Sequence, residues 1–304
     1  MSDPLVTILT PAYNRASYLE DVIKSVIYQD YPNIEYIVLD DGSTDNTRDV
    51  LAKYSGKLTW ESQPNLGETR TVNKAFGMAH GEIICVVNSD DPILPGAIST
   101  AVEFMKARPG ILMAYPDWNY INANSDFVWH VQVPEYDYFY MVTRHRCFVG
   151  PGAFLRRRAL ELIGGRDPSF NYVADFDFYL RLGLHGDFAR IPKTLANFRI
   201  HASSASLAMR GIEMANEDIR MIEKLYSQPN LPEKIRRARS RSFSAAHLHA
   251  SRVCGAARRE SLRHFLLFIY FYPPNLFTES GIFIQRATNW LMRRLTRLTE
   301  AKLG

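Results

Sequence analysis

Two apolar runs in this sequence end directly on paired aspartates. The run "IVLDDGST" reaches Asp40 and Asp41, and the run "ICVVNSDD" reaches Asp90 and Asp91. Each run is short and nearly free of polar residues before its end, which is typical of a strand buried on both faces of a sheet. The fold must therefore bury both strands and still give each carboxylate pair donors or a cation, because adjacent carboxylates repel each other.

Strand-like and helix-like segments alternate from residue 5 to about residue 115. "LVTILT" (5–10), "IEYIVL" (34–39) and "EIICVV" (82–87) predict strands, and the segments between them carry apolar residues at helical spacing. Such alternation predicts an α/β fold with a parallel sheet and helices on both faces. Ligands of these folds bind beyond the carboxyl ends of the strands, so we expect both acidic pairs to face one crevice.

Later segments predict further elements. We expect a helix that is capped by Ser43 or Thr44 and runs to about Tyr54, a hairpin around residues 122–124, and a helix over 174–186. Beyond about residue 212 the pattern is helical and increasingly basic. These elements suggest a core of 1–210, divided into 1–115 and 116–210, and a separate C-terminal region of 211–304.

Two common nucleotide-binding motifs are missing. Pro11 follows the first strand where a dinucleotide-binding fold needs glycine, and the sequence contains neither GxGxxG nor GxxxxGK[ST]. A receiver domain also places aspartates at strand ends, but it is much smaller than this chain. The sequence therefore argues against a dinucleotide-binding enzyme, a P-loop protein and a receiver domain.

Cysteine usage and the chain ends bear on location. Cys85, Cys147 and Cys254 are scattered without metal-binding spacing, which favours a reduced, cytoplasmic setting. No basic segment followed by an apolar core marks a signal peptide near the N-terminus. The run "FLLFIYFY" (265–272) is far shorter than the roughly 20 residues that span a bilayer.

Charge is distributed unevenly along the chain. Residues 233–304 contain 14 Lys or Arg and 4 Asp or Glu, whereas the whole chain has a net charge of only +4. The basic residues alternate with apolar ones, as in helices that lie on an anionic membrane surface. The alternative is a helical extension that packs on the rest of the protein with its arginines in solvent. No nucleic-acid-binding motif supports a third explanation.

The acidic pairs themselves leave two readings open. Asp90 and Asp91 could hold Mg²⁺ or Mn²⁺, since hard divalent ions take carboxylate oxygens and bridge them to phosphate. Asp90 could instead cap the helix that opens near Pro92. Asp40 and Asp41 could likewise bind a base or ribose, or cap the following helix.

Several longer segments resemble one known family. "VTILTPAYNRASYLEDVIKSVIYQDYPNIEYIVLDDGSTDNT", "QPNLGETRTVNKAFGMAHGEIICVVNSDD" and "GGRDPSFNYVADFDFYLRLGLHGDFARIPKTLANFRIHASSAS" occur in the order and spacing of a family 2 glycosyltransferase. The resemblance covers about residues 5–206. It implies the GT-A fold, a Rossmann-like mixed, mainly parallel sheet flanked by helices, with the C-terminal helices as an extension.

The resemblance also implies a nucleotide-sugar site. The loop after the first strand would wrap the base, Asp40 or Asp41 would bind the base edge, and an N-x-G-x(5)-N segment would line the pocket. Ser89, Asp90 and Asp91 match the metal motif, in which Asp90 faces ribose or metal and Asp91 holds the metal on the diphosphate. The remaining binding residues implied are Thr10, Pro11, Ala12, Tyr13, Arg15, Asn65, Gly67, Arg70 and Asn73.

"ADFD" matches a motif more often written Glu-Asp-x-Asp, so the resemblance implies that Asp175 is the catalytic base. Ala174 replaces the first acid of the motif. Asp177 lies two residues further on and points to another helix face, so we expect a structural role. His201 is either a metal ligand or a structural residue, and Arg199 is expected to pair with an acid of the site or with phosphate.

The resulting hypothesis is a metal-dependent, inverting glycosyltransferase that uses a nucleotide-diphospho-sugar, with a UDP-sugar as the first choice. The acceptor would be a saccharide or a lipid-linked hydroxyl, in bacterial polysaccharide or lipopolysaccharide synthesis. The alternatives are a non-catalytic sugar-nucleotide-binding or scaffold protein, and a glycoside hydrolase that uses an acid pair. Trp118, Tyr120 and Trp129 could stack on sugars or belong to the core. His80, His130 and His145 form no pattern in the sequence.

Overall fold

A computed structural model describes residues 3–201, 211–254 and 257–274. The apolar runs form strands, as expected from their lack of polar residues. Within the described residues, one eight-stranded sheet crosses the molecule. Its strands are β1 (Val6–Ala12), β2 (Ile34–Asp40), β3 (Thr59–Ser62), β4 (Ile83–Val86), β5 (Met113–Ile121), β6 (Phe127–Val131), β7 (Phe154–Arg156) and β8 (Phe188–Arg199).

The sheet is mixed and mainly parallel, as predicted. Its order is β3-β2-β1-β4-β7-β5-β6, and β8 pairs with the other side of β5. The β1 strand runs parallel to both β2 and β4, whereas β7 is antiparallel to β4 and β5. The register pairs Ala12 with Asp40 and Leu9 with Val86. The carboxyl ends of β2 and β4 therefore lie on either side of β1, and both acidic pairs lie at the same edge of the sheet.

Helices cover both faces of the sheet. They are α1 (Ala16–Ile27), α2 (Thr47–Ala52), α3 (Glu68–Met78), α4 (Ala97–Lys106), α5 (Tyr138–Thr143), α6 (Arg157–Ile163) and α7 (Ala174–Leu182). The C-terminal part adds α8 (Ile212–Tyr226), α9 (Glu233–Arg237), α10 (Arg239–Val253) and α11 (Arg258–Phe271). In α1, the buried residues Leu19, Val22, Ile23 and Val26 form the apolar face that the sequence predicted.

Two predicted element ends were wrong. The second helix begins at Thr47 with Asn46 as its N-cap, so neither Ser43 nor Thr44 caps it. The local reason is Asp45, whose Oδ1 accepts the backbone N–H of Thr47 and thereby starts the helix later. The helix expected over 174–186 ends at Leu182, because Gly183 caps it. The hairpin around residues 122–124 is confirmed by the antiparallel pairing of β5 with β6.

The described C-terminal helices pack on the second half of the sheet. Met221, Leu225 and Phe243 share one hydrophobic core with Met113 and Phe188. Residues 211–254 therefore pack on the rest of the protein, as one of the two alternatives for the basic C-terminal region predicted. Residues 275–304 of that region lie outside the described part of the chain. Among the described helices, none combines the length and apolar character that a bilayer-spanning helix requires. The three cysteines are free thiols.

Candidate active site

The turn after β4 carries the second acidic pair, and its two carboxylates have different surroundings. Asp90 is partly exposed, and its Oδ2 lies 3.2 Å from Nε of Arg15 and 3.0 Å from Nε2 of His201. Asp91 is buried, and its Oδ1 accepts the backbone N–H of Arg199 while its Oδ2 accepts the side-chain amide of Asn88. Asp90 is thus the outer carboxylate and Asp91 the inner one.

Asp91 carries the clearest electrostatic signature of the site. Burial and the neighbouring Asp90 carboxylate raise the pKa of Asp91 to about 7, against the opposing effect of its hydrogen bonds. An acid with such surroundings gains from a nearby cation, because the cation favours its charged form. Two carboxylates with the imidazole of His201 beside them form an oxygen-rich donor set that suits Mg²⁺ or Mn²⁺. Neither aspartate caps a helix, since α4 begins only at Ala97.

Arg199 contacts the turn that carries Asp90 and Asp91, and it is nearly inaccessible to solvent. Its Nε donates to the backbone carbonyl of Asp90 at 2.9 Å, and its guanidinium pairs with Asp21 and lies over the ring of Tyr18. The guanidinium thus pairs with Asp21 and not with a carboxylate of the acidic pair, whereas the backbone N–H of Arg199 donates to Asp91. Arg199 therefore fixes the acidic turn.

The first acidic pair, Asp40 and Asp41, accepts hydrogen bonds from other groups of the protein. Asp40 is fully buried, and its two oxygens accept the backbone N–H of Ser43 and the hydroxyl of Ser62. Asp41 accepts the backbone N–H groups of Leu66 and Gly67 at 2.9 Å each. Asp41 thus fixes the loop that carries Asn65 and Gly67. Asp40 and Asp41 together therefore hold the loops that follow β2 and β3.

The predicted base-binding residues lie at the end of β1, which includes Thr10, Pro11 and Ala12, and in the loop that follows it. The Thr10 hydroxyl is buried against Tyr36, and Ala12 is buried as well. Tyr13 is exposed, whereas Arg15 reaches across to Asp90. Pro11, in the same strand, is half-buried. Arg15 is therefore the residue after β1 whose side chain contacts the acidic turn, while Tyr13 is exposed to solvent.

The N-x-G-x(5)-N segment begins at the loop before α3. Asn65 and Arg70 are exposed, and Gly67 adopts a φ of 86°, which favours glycine. Asn73 makes a two-way contact with Arg166, since it donates to the Arg166 carbonyl and accepts the Arg166 N–H. Asn73 thus positions Arg166, a residue that the sequence analysis did not select.

Arg166 and Asp175 line one cavity of about 180 Å³ together with Asn88. Asp175 lies in the first turn of α7, and its carboxylate is exposed. The Arg166 guanidinium pairs with Glu68 at 3.0 Å, and the negative charges of Glu68 and Asp175 raise its pKa despite burial. Because Asn88 donates to Asp91, the cavity joins the acidic turn to Asp175.

The remaining predicted residues fall into two groups. Asp177 is buried and pairs with Arg181 and Lys224 at 2.8 Å each, which confirms its structural role. The aromatic residues form a cluster on the β5–β6 hairpin, in which Tyr120 contacts both Trp118 and Trp129. Trp118 also packs against the core, whereas Trp129 is 58% exposed.

Sequence reasoning missed Arg166 and Asn88. Arg166 directly follows Gly164-Gly165, where Gly164 caps the end of α6, and that glycine pair was the one available signal for it. Asn88 sits inside the quoted metal motif segment, but a neutral amide beside two acids gives no specific pattern. Only the cavity shows that both residues contact the same space.

An α/β sheet with an acidic turn at its carboxyl edge and an aspartate across the cleft is the arrangement of the GT-A fold. Comparison with solved structures supports this fold. TarS of S. aureus, solved with UDP-GlcNAc, superposes with a TM-score of 0.67 at 18% identity, covering 90% of this chain and 82% of that one. The mannosyltransferase PcManGT from Pyrobaculum calidifontis, solved with GDP-Man and Mn²⁺, gives 0.62 at 19% identity, covering 93% and 81%.

The sequence model described as glycosyl transferase family 2 matches residues 7–164, which is just over half of the chain. The chain therefore belongs to glycosyl transferase family 2. It is 28% identical to the hyaluronan synthase of Pasteurella multocida over 235 residues, and 27% identical to the chondroitin synthase of Escherichia coli over 222 residues. These matches cover 74% and 70% of this chain, but only 23% and 31% of the two relatives.

Proposed function

We propose that the protein is a metal-dependent, inverting glycosyltransferase that moves a sugar from a nucleotide-diphospho-sugar to an acceptor hydroxyl. The observation that supports this most directly is the cavity that Asp175 shares with Asn88, the amide that holds Asp91. A base and a diphosphate-binding turn on one cleft are what a single displacement requires. Family membership supports the same reaction class.

Asp175 is the proposed base. An acceptor hydroxyl is a poor nucleophile until a carboxylate takes its proton during attack. Asp175 is exposed to the cleft, and its Oδ1 accepts the backbone N–H of Phe176. That bond fixes the orientation of the carboxylate in the first turn of α7.

The donor diphosphate is proposed to lie at the turn after β4. Asp90, Asp91 and His201 would hold Mg²⁺ or Mn²⁺, and that ion would neutralise the charge that develops on the leaving diphosphate. Arg15 lies against Asp90 and orients this carboxylate. Arg166 supplies a fixed positive charge on the opposite wall of the cavity.

The nucleoside is proposed to bind at the edge formed by β1, β2 and the loop before α3. The binding set is the one implied by the sequence: Thr10, Pro11, Ala12, Tyr13, Arg15, Asp40, Asp41, Asn65, Gly67, Arg70, Asn73 and Ser89. Within it, Tyr13, Asn65 and Arg70 are exposed and are proposed to contact the donor directly. Asp40, Asp41 and Asn73 would act by holding the backbone.

A UDP-sugar is the proposed donor, and a saccharide or lipid-linked hydroxyl is the proposed acceptor. TarS was solved with UDP-GlcNAc, and two relatives are synthases of hyaluronan and chondroitin. These names support a role in bacterial cell-surface polysaccharide or lipopolysaccharide synthesis. Such synthesis would place the protein in the cytoplasm, at the inner face of the membrane.

The test combines donor binding with turnover. A panel of UDP- and GDP-sugars is titrated by calorimetry with and without Mn²⁺, and the best donor is then followed for sugar release or transfer. We expect Asp175→Asn to lower kcat by about 10²- to 10⁴-fold, because general base catalysis is lost. Donor affinity should be unchanged, since Asp175 contacts the acceptor side.

Asp49→Asn is the control, because Asp49 is an exposed acid on α2 outside the cleft. Asp91→Ala should weaken donor binding only when Mn²⁺ is present. Parent-like turnover in Asp175→Asn would show that another group is the base. If no nucleotide sugar binds with metal present, the proposed function is wrong.

A further inference from the structure

A second cluster of potential metal ligands lies away from the donor turn, between the C-terminal helices and the segment after α5. Nε2 of His145 lies 2.8 Å from Oδ1 of Asp218, and Nδ1 of His249 lies 2.7 Å from Oδ2 of the same carboxylate. One ligand atom from each residue lies within 4.8 Å of the others. Three separate elements, the residue after α5, helix α8 and helix α10, therefore deliver two imidazoles and one carboxylate to one point.

His145 is held in an unusual backbone conformation to reach this point. It follows the α5 helix at φ 49°, and the next N–H, that of Arg146, donates back to the carbonyl of Met141. This is the position at which a helix ending of this type normally has glycine, because other residues are strained there. A histidine with a strained backbone at this position indicates that its imidazole has a function there.

The cluster is buried on one side only. The side chains of His145 and Asp218 are only 2% and 1% exposed, while that of His249 is 36% exposed. Nε2 is the nitrogen of His145 that faces Asp218, whereas Nδ1, on the other side of the ring, is buried without a hydrogen-bond partner among the described residues. The cluster is thus closed to solvent at His145 and Asp218, and solvent reaches it at His249.

We propose that His145, Asp218 and His249 bind one Zn²⁺ ion, with solvent as the fourth ligand. Tetrahedral zinc holds N and O ligands at about 2.0–2.2 Å, which separates neighbouring ligand atoms by about 3.3 Å. The two imidazoles contact different oxygens of Asp218, so an ion held by one of these oxygens requires one imidazole to move from its present oxygen towards the ion. Metal binding replaces the protons that the imidazoles now share with the carboxylate.

The ligand chemistry separates this site from the donor turn. Imidazole nitrogen suits Zn²⁺, Co²⁺ and Ni²⁺, whereas Mg²⁺ prefers oxygen ligands in octahedral geometry. Asp90 and Asp91 offer mainly carboxylate oxygens, and this cluster offers mainly imidazole. The protein would therefore hold two different metals in two different places.

The proposed ion has a structural role. It joins α8 and α10 to the segment after α5, and this segment contacts α7, the helix that contains Asp175. The ring of His145 also packs edge-on against Phe176 at 5.2 Å, and Phe176 is the residue next to Asp175 in α7. A bound ion would thereby stabilise the helix that presents the proposed base.

The test uses the full chain, stripped with a chelator and then saturated with Mn²⁺ and UDP to fill the donor site. Zn²⁺ is titrated by calorimetry, and Co²⁺ is titrated separately to follow its visible absorption in tetrahedral geometry. We expect one equivalent of Zn²⁺ in the parent, a higher Tm with Zn²⁺, and affinity lower by about tenfold or more in His249→Gln and His145→Gln.

His249→Gln is the sharper variant, because glutamine keeps a donor for Asp218 and the position is the most exposed of the three. His130→Gln is the matched control for a surface histidine, and His201→Gln is the control for zinc at the donor turn. Both should bind Zn²⁺ like the parent. The proposal is overturned if the parent takes up no equivalent of Zn²⁺, or if His249→Gln and His145→Gln bind it like the parent.

Discussion

Asp90 and Asp91 are neighbours in the chain, yet their carboxylates meet different surroundings. Asp90 faces Arg15 and His201 at the rim, and Asp91 accepts two neutral donors beneath it. Asp90 lies within the tight turn that the hydrogen bond from the Asp91 N–H to the Asn88 carbonyl closes, and Asp91 lies at its buried end. In the proposed reaction the inner carboxylate gains more from a cation, since burial and Asp90 already raise its pKa to about 7.

Asp167 offers a test of electrostatics outside the proposed metal sites. Burial opposes its ionisation, but hydrogen bonds from Lys224 and Ser169 outweigh this and lower its pKa to about 2. An unfolded aspartate titrates at about 3.9, so the folded protein binds this proton less readily. The stabilisation is present above about pH 4 and is lost as the pH falls towards 2.

We expect the urea midpoint of the parent to drop more between about pH 5 and pH 2.5 than that of Asp167→Asn. The amide cannot titrate, so its midpoint lacks this contribution at both pH values. Asp49→Asn, which changes an exposed acid, should follow the parent. Equal pH dependence in Asp167→Asn and the parent would contradict the assignment.

At the level of elements, the approach of α3 to β1 depends on one glycine. A Cβ built on Gly81 would lie 2.5 Å from the backbone N of Thr7 in β1, closer than real atoms allow. The segment that leads from α3 into β4 can therefore run against β1 only without a side chain at this place. Gly77, in the last turn of α3, has nothing within 4 Å of such a Cβ.

These two glycines form a matched pair. Gly81→Ala should lower the free energy of unfolding by about 1–3 kcal/mol, because the backbone of β1 must shift. Gly77→Ala should raise it by about 0.5–1 kcal/mol, since alanine favours a helix over glycine. Denaturant midpoints with unchanged m-values would measure both effects. A Gly81→Ala protein as stable as the parent would show that the strands can separate freely here.

At the scale of the whole molecule, α11 presents an apolar stripe to solvent. Leu262, Leu266 and Tyr270 recur every four residues and are 58%, 57% and 78% exposed. Arg258, Arg259 and Arg263 lie in the first two turns of the same helix. This combination is typical of a helix that lies on an anionic membrane, where it would bring the cleft to a lipid-linked acceptor.

We expect the protein to co-sediment with vesicles that contain phosphatidylglycerol and to stay in solution with pure phosphatidylcholine. High salt should reduce binding, because it screens the arginines. The double change Leu266→Ser and Tyr270→Ser should also reduce it, whereas Leu162→Ser, which alters an exposed leucine on α6, should not. Undiminished binding by the double variant would leave α11 without a membrane role.

The sequence predicted most of the sheet's first half. The β1, β2 and β4 strands and the α1 and α3 helices follow directly from apolar runs and helical spacing, because each period reflects one buried face. Their order also places both acidic pairs at one edge. The helix ends were less predictable, since Asp45 and Gly183 decide them through local hydrogen bonds.

The second half of the sheet could not be predicted in this way, because the spacing of apolar residues does not show which strands pair. The β5 strand contacts β6, β7 and β8, and the Asn73–Arg166 contact joins residues 93 positions apart. The sequence by itself determined which strands and helices form in the first half, and it indicated the candidate side chains through strand ends and the family resemblance. Only the tertiary structure decided which carboxylate is buried, which arginine reaches the cleft and which histidines meet. Those properties depend on contacts between distant segments, and close packing fixes them only when the whole chain has folded.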